Sequence, residues 1–281
     1  MTGFFAALIS PDFPFIRNAL IAGLLSSVLF GVIGALVTVR RIASLAGAIS
    51  HAVLGGIGMA LYLSATRLIP GFPPIAGALI FAVLSAGIIG AVSLKAKQRE
   101  DTVINAIWAI GMSVGVLFMA KTPGYTDPSA YLFGNILLIS NRDLILLGVL
   151  DILVLILAWR FYPQIEASAF DEEFARVRGV PAALIFLALL TVTAVAIVLL
   201  QTFVGVVMVI AMLTLPAGTA GYFARNLGKM MLWSCVFSSL FSAGGLALGW
   251  TFDAPAGAMV VILAGIVFLS AAILRALGRK P

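Results

Sequence analysis

Charge is scarce in this chain of 281 residues: Asp, Glu, Lys and Arg together make up 10%, while 62% of residues are apolar. Ordinary soluble domains carry about 25% charged residues. With a mean hydropathy of +1.18, a water-soluble fold is excluded. Cysteine is nearly absent too. Cys235 stands alone, so no intrachain disulfide forms and no CxxC pair points to redox or zinc-finger chemistry. The chain has one histidine, His51, and one imidazole without partners does not make a tight metal site. No GxxxxGK[ST] phosphate loop occurs, so any work against a gradient needs nucleotide hydrolysis by another chain. The opening MTGFFAALISPDFPFIRN lacks a cationic n-region and is broken by Pro11 and Pro14. It reads poorly as a cleaved signal peptide, and residues 1–16 are expected to form an interfacial segment.

What the chain has is long apolar runs. They fall into segments of about 20 residues, the length a helix needs to cross a hydrocarbon core of roughly 30 Å, where barrel strands would be about 10 residues and alternating. The expected class is therefore an all-α polytopic membrane protein. Spans are expected near 17–39, 43–64, 74–94, 102–120, 142–160, 181–200, 203–223, 230–250 and 256–274, nine in all with eight possible. Residues 17–281 form a single membrane domain in this reading, with no soluble domain and no long linker.

The net charge of +6 could suggest nucleic acid, but its distribution fits membrane sidedness better. Five basic clusters punctuate the chain: Arg40 with Arg41; Lys95, Lys97 and Arg99; Arg160, Arg176 and Arg178; Arg225 and Lys229; Arg275, Arg279 and Lys280. All fall at alternate ends of the nine spans, so that side is expected to be cytoplasmic, with the N-terminus outside and the C-terminus inside. Arg67 and Lys121 are exceptions on the opposite side.

His51 lies mid-span in SLAGAISHAVLGG, on a helical stripe with Gly47 and Gly55. Small residues admit a close neighbour helix, and an ionisable group in hydrocarbon faces the bundle interior or a wet path. His51 is thus either a packed structural residue or part of a substrate path. Ser50 beside it does not form a Ser/His dyad, because adjacent helical residues point about 100° apart. Carboxylates that might share a cation are nearly missing from the spans; Asp151 is the one well inside. Met112, Met119, Met208, Met212 and Cys235 offer soft sulfur, and read first as core filling.

Three further stretches stand out. FDEEFARVRGVP sets Asp171, Glu172 and Glu173 in the first turn of a short helix and Arg176 and Arg178 in its last, with Gly179 as stop and Pro181 starting the next helix. Phe170 to Gly179 is either a solvated connector or a docking element for a cytoplasmic partner. The stretch from Lys121 to Asn135, with Tyr125, Asp127 and Tyr131, could shape an entrance or anchor at the interface. Pro216 lies inside a span, so a kink is expected there, with Thr214, Thr219 or a neighbouring helix meeting the freed carbonyl.

In chain order RRIASLAGAISHAVLGG, DPSAYLFGNILLIS, FDEEFARVRGVP, LPAGTA and FDAPAGAMVVILAG resemble the membrane permease subunit of the manganese/zinc/iron-type metal ABC importers. The resemblance implies a type II importer fold in the bacterial cytoplasmic (inner) membrane, with two permeases, as a homodimer or a heterodimer, around a central path. It implies cytoplasmic ABC ATPases, which alone use ATP, and an extracytoplasmic metal-binding protein. The chain is then a transporter subunit rather than an enzyme, with no bound cofactor and a divalent metal ion as transported substrate. Membrane lipid surrounds it, and no nucleic acid is involved. Phe170, Asp171, Glu172, Glu173, Arg176, Arg178 and Gly179 are similar to the coupling helix seated on each ATPase. In the related permeases an aspartate precedes the histidine by one turn on the metal path. Here Gly47 takes that aspartate's place next to Ser50 and His51, which weakens the case for manganese against zinc or iron and leaves room for a metal chelate or other solute. A secondary transporter driven by an ion gradient is a rival, with Asp151 and His51 as its only embedded titratable groups. A membrane enzyme is a weaker rival, since the spans offer no paired aspartates and no HExxH.

Overall fold

The computed structural model describes residues 3–95, 100–124, 131, 132, 134, 136 and 139–278. Lys97, Arg99, Tyr125, Asp127, Arg279 and Lys280 lie outside the described residues, and with them part of the sidedness pattern and most of the expected outer entrance. Among the described residues the regular elements are twelve helices. They are α1 (Phe4–Ile9), α2 (Pro14–Val39), α3 (Ala43–Ala65), α4 (Pro74–Lys95), α5 (Glu100–Lys121) and α6 (Asn141–Arg160). Next come α7 (Tyr162–Phe170), α8 (Glu172–Val177), α9 (Ala182–Val204), α10 (Val206–Ala220), α11 (Leu227–Phe252) and α12 (Ala256–Gly278).

Seven of these are long and apolar enough to cross a membrane: α2, α3, α4, α5, α9, α11 and α12. An eighth span results if α6 and α7 are joined across their 69° bend. The bend has a local cause, since Pro163 has no N–H to continue the ladder of α6 and disfavours helical backbone at the residue before it. The all-helical class is as expected, and the count of seven, reaching eight only with the bent pair joined, is below the nine spans expected.

The difference lies at 203–223. The helix there, α10, has 15 residues, or about 22 Å of rise, short of the roughly 30 Å a span must cover. It is cut from α9 by the single residue Gly205, whose φ of 81° and ψ of 163° belong to a region open essentially to glycine alone. The expected spans place a break at 201–202, and the structure moves it to Gly205, so that less of the apolar run is left to α10.

The chain divides into two compact units, each built from segments distant in sequence. One comprises Met1–Arg40, Phe133–Tyr162 and Phe203–Pro281, and so holds α1, α2, α6, α10, α11 and α12. Its centre is α2, which packs on α6, α10 and α11. Small residues permit this: Gly23 faces Ser242, Gly31 faces the main chain at Cys235, and Gly34 faces the carbonyl of Leu213. The other unit comprises Arg41–Leu132 and Pro163–Thr202. There α3 is central and packs on α4 and α5.

Helix ends carry the expected capping chemistry. Ser140 and Asp143 form a reciprocal capping box at α6. Lys95, Lys121, Arg160 and Arg275 occupy last turns, where the helix dipole favours a cation.

Candidate functional site

His51 sits on α3 beside a close backbone approach of that helix to α5. A Cβ added at Gly55 would lie 2.7 Å from the carbonyl oxygen of Gly111, and one at Gly111 would lie 2.5 Å from the Cα of Ala52. One turn further on the pattern repeats, with Gly58 against the carbonyl of Gly115 and Gly115 against the carbonyl of Leu54. Only glycine lets the two backbones approach so near. The approach brings the His51 imidazole over the indole of Trp108, with ring centroids 5.1 Å apart and planes tilted by 39°.

The imidazole is half-buried, and its Nδ1 is enclosed without a hydrogen-bond partner. Ser50 is fully buried and its hydroxyl donates to the carbonyl of Ala46 at 2.9 Å, so the bond closes within α3. Gly47 is different from Gly55: a Cβ there would meet nothing within 4 Å. The glycine stripe therefore has two roles, with Gly55 admitting a neighbour helix and Gly47 leaving space one turn from the imidazole. No group of three or more His, Cys, Asp or Glu side chains able to hold a metal ion occurs among the described residues. One chain thus offers a single nitrogen donor here, suited to weak and reversible contact with a cation.

Trp108 is the neighbour of His51 that the sequence did not single out. It shares a stripe of α5 with Gly111 and Gly115, three and seven residues on, the spacing of one helical face. That spacing was the available signal.

Phe170 to Gly179 folds as a turn of helix flanked by two well-formed caps. Asp171 Oδ1 accepts from the Phe174 N–H at 2.9 Å. At the other end the Gly179 N–H donates to Arg176 and the Val180 N–H to Ala175, with Gly179 at φ 76°, a Schellman motif. Glu172 pairs with Arg176 on the exposed surface, and the Arg178 guanidinium lies 5.1 Å from the Phe174 ring centre. Phe170, Phe174 and Val177 are exposed, Val177 to 86%. Phe170 at the end of α7 and Phe174 and Val177 on α8 thus leave three apolar side chains uncovered by this chain.

Pro216 lies inside α10, in the other unit, and is buried. The nearby hydroxyls do not reach its freed carbonyl. Thr214 donates to Ile210 at 2.9 Å and Thr219 to Leu215 at 2.8 Å, which leaves the carbonyl of Met212, four residues before the proline, without a hydroxyl donor. Met119, Met208 and Met212 are buried core, whereas the half-buried Cys235 rests against Gly31 and the Val28 carbonyl. Asp151 on α6 is buried, and neither carboxylate oxygen has a hydrogen-bond partner. The structure thus groups Gly47, Ser50 and His51 on α3 with Trp108 of α5, and sets the Phe170 to Gly179 element and Pro216 on other helices.

Residues 12–275 match the ABC 3 transport family. The chain belongs to that family. It is a multi-pass membrane permease of an ABC transporter. Among its relatives in the family, the probable metal transport system membrane protein of Chlamydia muridarum is 34% identical over 256 residues, spanning 91% of this chain and 87% of that one. The manganese transport system membrane protein MntC of Halalkalibacterium halodurans is 32% identical over 271 residues, spanning 95% and 89%. Among solved structures, PsaBC from Streptococcus pneumoniae in complex with Fab superposes with a TM-score of 0.83 at 29% identity, covering 95% of this chain and 94% of that one.

Proposed function

We propose that this chain is the permease subunit of an ATP-driven importer of divalent metal ions (manganese, zinc or iron) in the bacterial cytoplasmic membrane. It works as one of a permease pair, with two cytoplasmic ABC ATPases and an extracytoplasmic metal-binding protein. The observation that carries the reading is His51, the only histidine, held at a glycine-packed crossing with open space beside it at Gly47, in a family whose relatives include manganese permeases.

The chemistry suits transit. A neutral imidazole binds borderline divalent ions, and a lone one from each of two subunits releases them readily. ATPase closure acts through the uncovered Phe170, Phe174 and Val177, rocking the helices so that the path opens alternately to each side. The open space at Gly47 also favours a second reading, in which the metal enters as a small chelate.

The test is uptake by vesicles containing the permease, its ATPase and its binding protein. His51→Ala is expected to lower ATP-dependent manganese or zinc uptake while assembly persists. Unchanged uptake removes His51 from the path. Changing Glu172 and Glu173 together to Lys is expected to cut the ATPase that co-purifies with the permease, and a normal amount would place the docking elsewhere.

A further inference from the structure

We infer that Trp108 is a positioning residue of the metal path, holding the His51 imidazole so that one nitrogen faces the passing ion. The inference rests on the proposed function and adds to it a residue from a different helix.

A histidine that binds a metal through one nitrogen usually has the other tied to a carboxylate or carbonyl, which fixes the plane and direction of the ring. That tie is missing here. Nδ1 of His51 is enclosed with no hydrogen-bond partner, and no acidic residue stands at position 47 to orient the ring from its own helix. Enclosure of Nδ1 leaves Nε2 as the nitrogen available to a ligand. An imidazole free to rotate about its side-chain bonds would spread Nε2 over several directions and lose affinity through the entropy of fixing it.

Trp108 supplies the missing constraint by contact. Its ring lies 5.1 Å from the imidazole, within the range of favourable aromatic packing, and at 39° it blocks rotation of the imidazole on one side. The contact is set by backbone and does not depend on a flexible loop. Gly111 follows Trp108 by three residues on α5 and packs on Ala52, the residue after His51, so a close backbone approach of the two helices lies beside the ring pair. Gly47, one turn before His51, is left open, and helical side chains lean toward the preceding turn, so the imidazole lies on the side of that space. Trp108 itself is 46% exposed, so the ring pair is not sealed within this chain's core.

Two measurements test this on the full transporter. In vesicle uptake, Trp108→Ala is expected to raise the half-saturating manganese concentration about tenfold, the scale on which groups supporting a metal ligand act, with little change in maximal rate. Trp108→Phe keeps a ring over the imidazole and is expected to stay close to the parent. In a chain whose other tryptophans, Trp159, Trp233 and Trp250, are changed to Phe, added Co2+ is expected to quench Trp108 fluorescence, and His51→Ala to abolish the quenching. If His51→Ala impairs uptake while Trp108→Ala does not, or if the Phe and Ala variants fail alike, the positioning role is overturned. Absence of His51-dependent quenching overturns it as well. If His51→Ala itself transports normally, the metal-path reading fails instead.

Discussion

Gly47 and Gly55 flank the same histidine at equal distance along α3, yet only the second is required by packing. A side chain at Gly55 would strike the α5 backbone, whereas one at Gly47 enters open space. Gly47→Asp is therefore expected to fold, since Asp is no worse than Gly in a helix. It adds an oxygen ligand and a negative charge one turn from the imidazole. The half-saturating concentration for manganese, which favours oxygen ligands, is expected to fall about tenfold relative to that for zinc, the scale on which single groups around a metal act. Competition between the two ions in uptake reads this directly, and an unchanged preference would show that position 47 does not face the path. Asp151 poses the opposite case, a carboxyl enclosed with no hydrogen bond to either oxygen. Asp151→Asn keeps its shape and removes the cost of a buried charge. Thermal unfolding of the purified chain is expected to show equal or higher stability, by about 1–3 kcal/mol. A clear loss would reveal a cation held by Asp151 in the native protein.

At the scale of elements, what was legible in the sequence is what local chemistry determines. The helix from Glu172 to Val177 could be read because its cap, its charges and its stop glycine all lie within ten residues of one another, and each acts on its own neighbours. The long apolar helices were legible for the same reason. Helix α10 was legible as an element near 203–223 but not as one too short to span, since the cut at Gly205 is a backbone conformation that hydropathy does not locate. Nor was the ring pair of His51 and Trp108, because it depends on which face of α5 meets α3, and that is decided by glycines on two separate helices. Those glycines make a test of the crossing. Gly111→Leu drives a side chain into the backbone at Ala52, which cannot move aside as a side chain could. The expected loss is about 1–3 kcal/mol, the range of core overpacking, read as a lower thermal midpoint. Gly265→Leu on α12, where nothing lies within 4 Å, is the matched control and is expected to be neutral or mildly stabilising through helix propensity.

For the whole molecule the short helix bears on sidedness. Arg40 with Arg41 and Arg225 with Lys229 fall on the same side only if the chain returns across the membrane between α9 and α11. The segment available for that return is α10, whose rise of about 22 Å is less than a full span, followed by the turn residues Gly221 to Asn226. A buried helix is under less constraint than one in lipid, because the surrounding protein can satisfy its ends away from the bilayer surface. Most of α10 is buried, and it packs on α2, α11 and α12, so a return path that stops short of the full bilayer thickness is physically admissible. The prediction is that the Arg225 loop is cytoplasmic and the end of α11 at Thr251 external. Replacing Cys235 with Ser gives a chain without cysteine, into which Arg225→Cys or Thr251→Cys is introduced singly. A membrane-impermeant maleimide is expected to label Thr251→Cys in intact cells and Arg225→Cys only after permeabilisation. Because the 26-residue α11 separates the two positions, they must label oppositely in any case. If Arg225→Cys is the one labelled in intact cells, α10 does not complete the return, and the N-outside, C-inside arrangement built on the basic clusters falls.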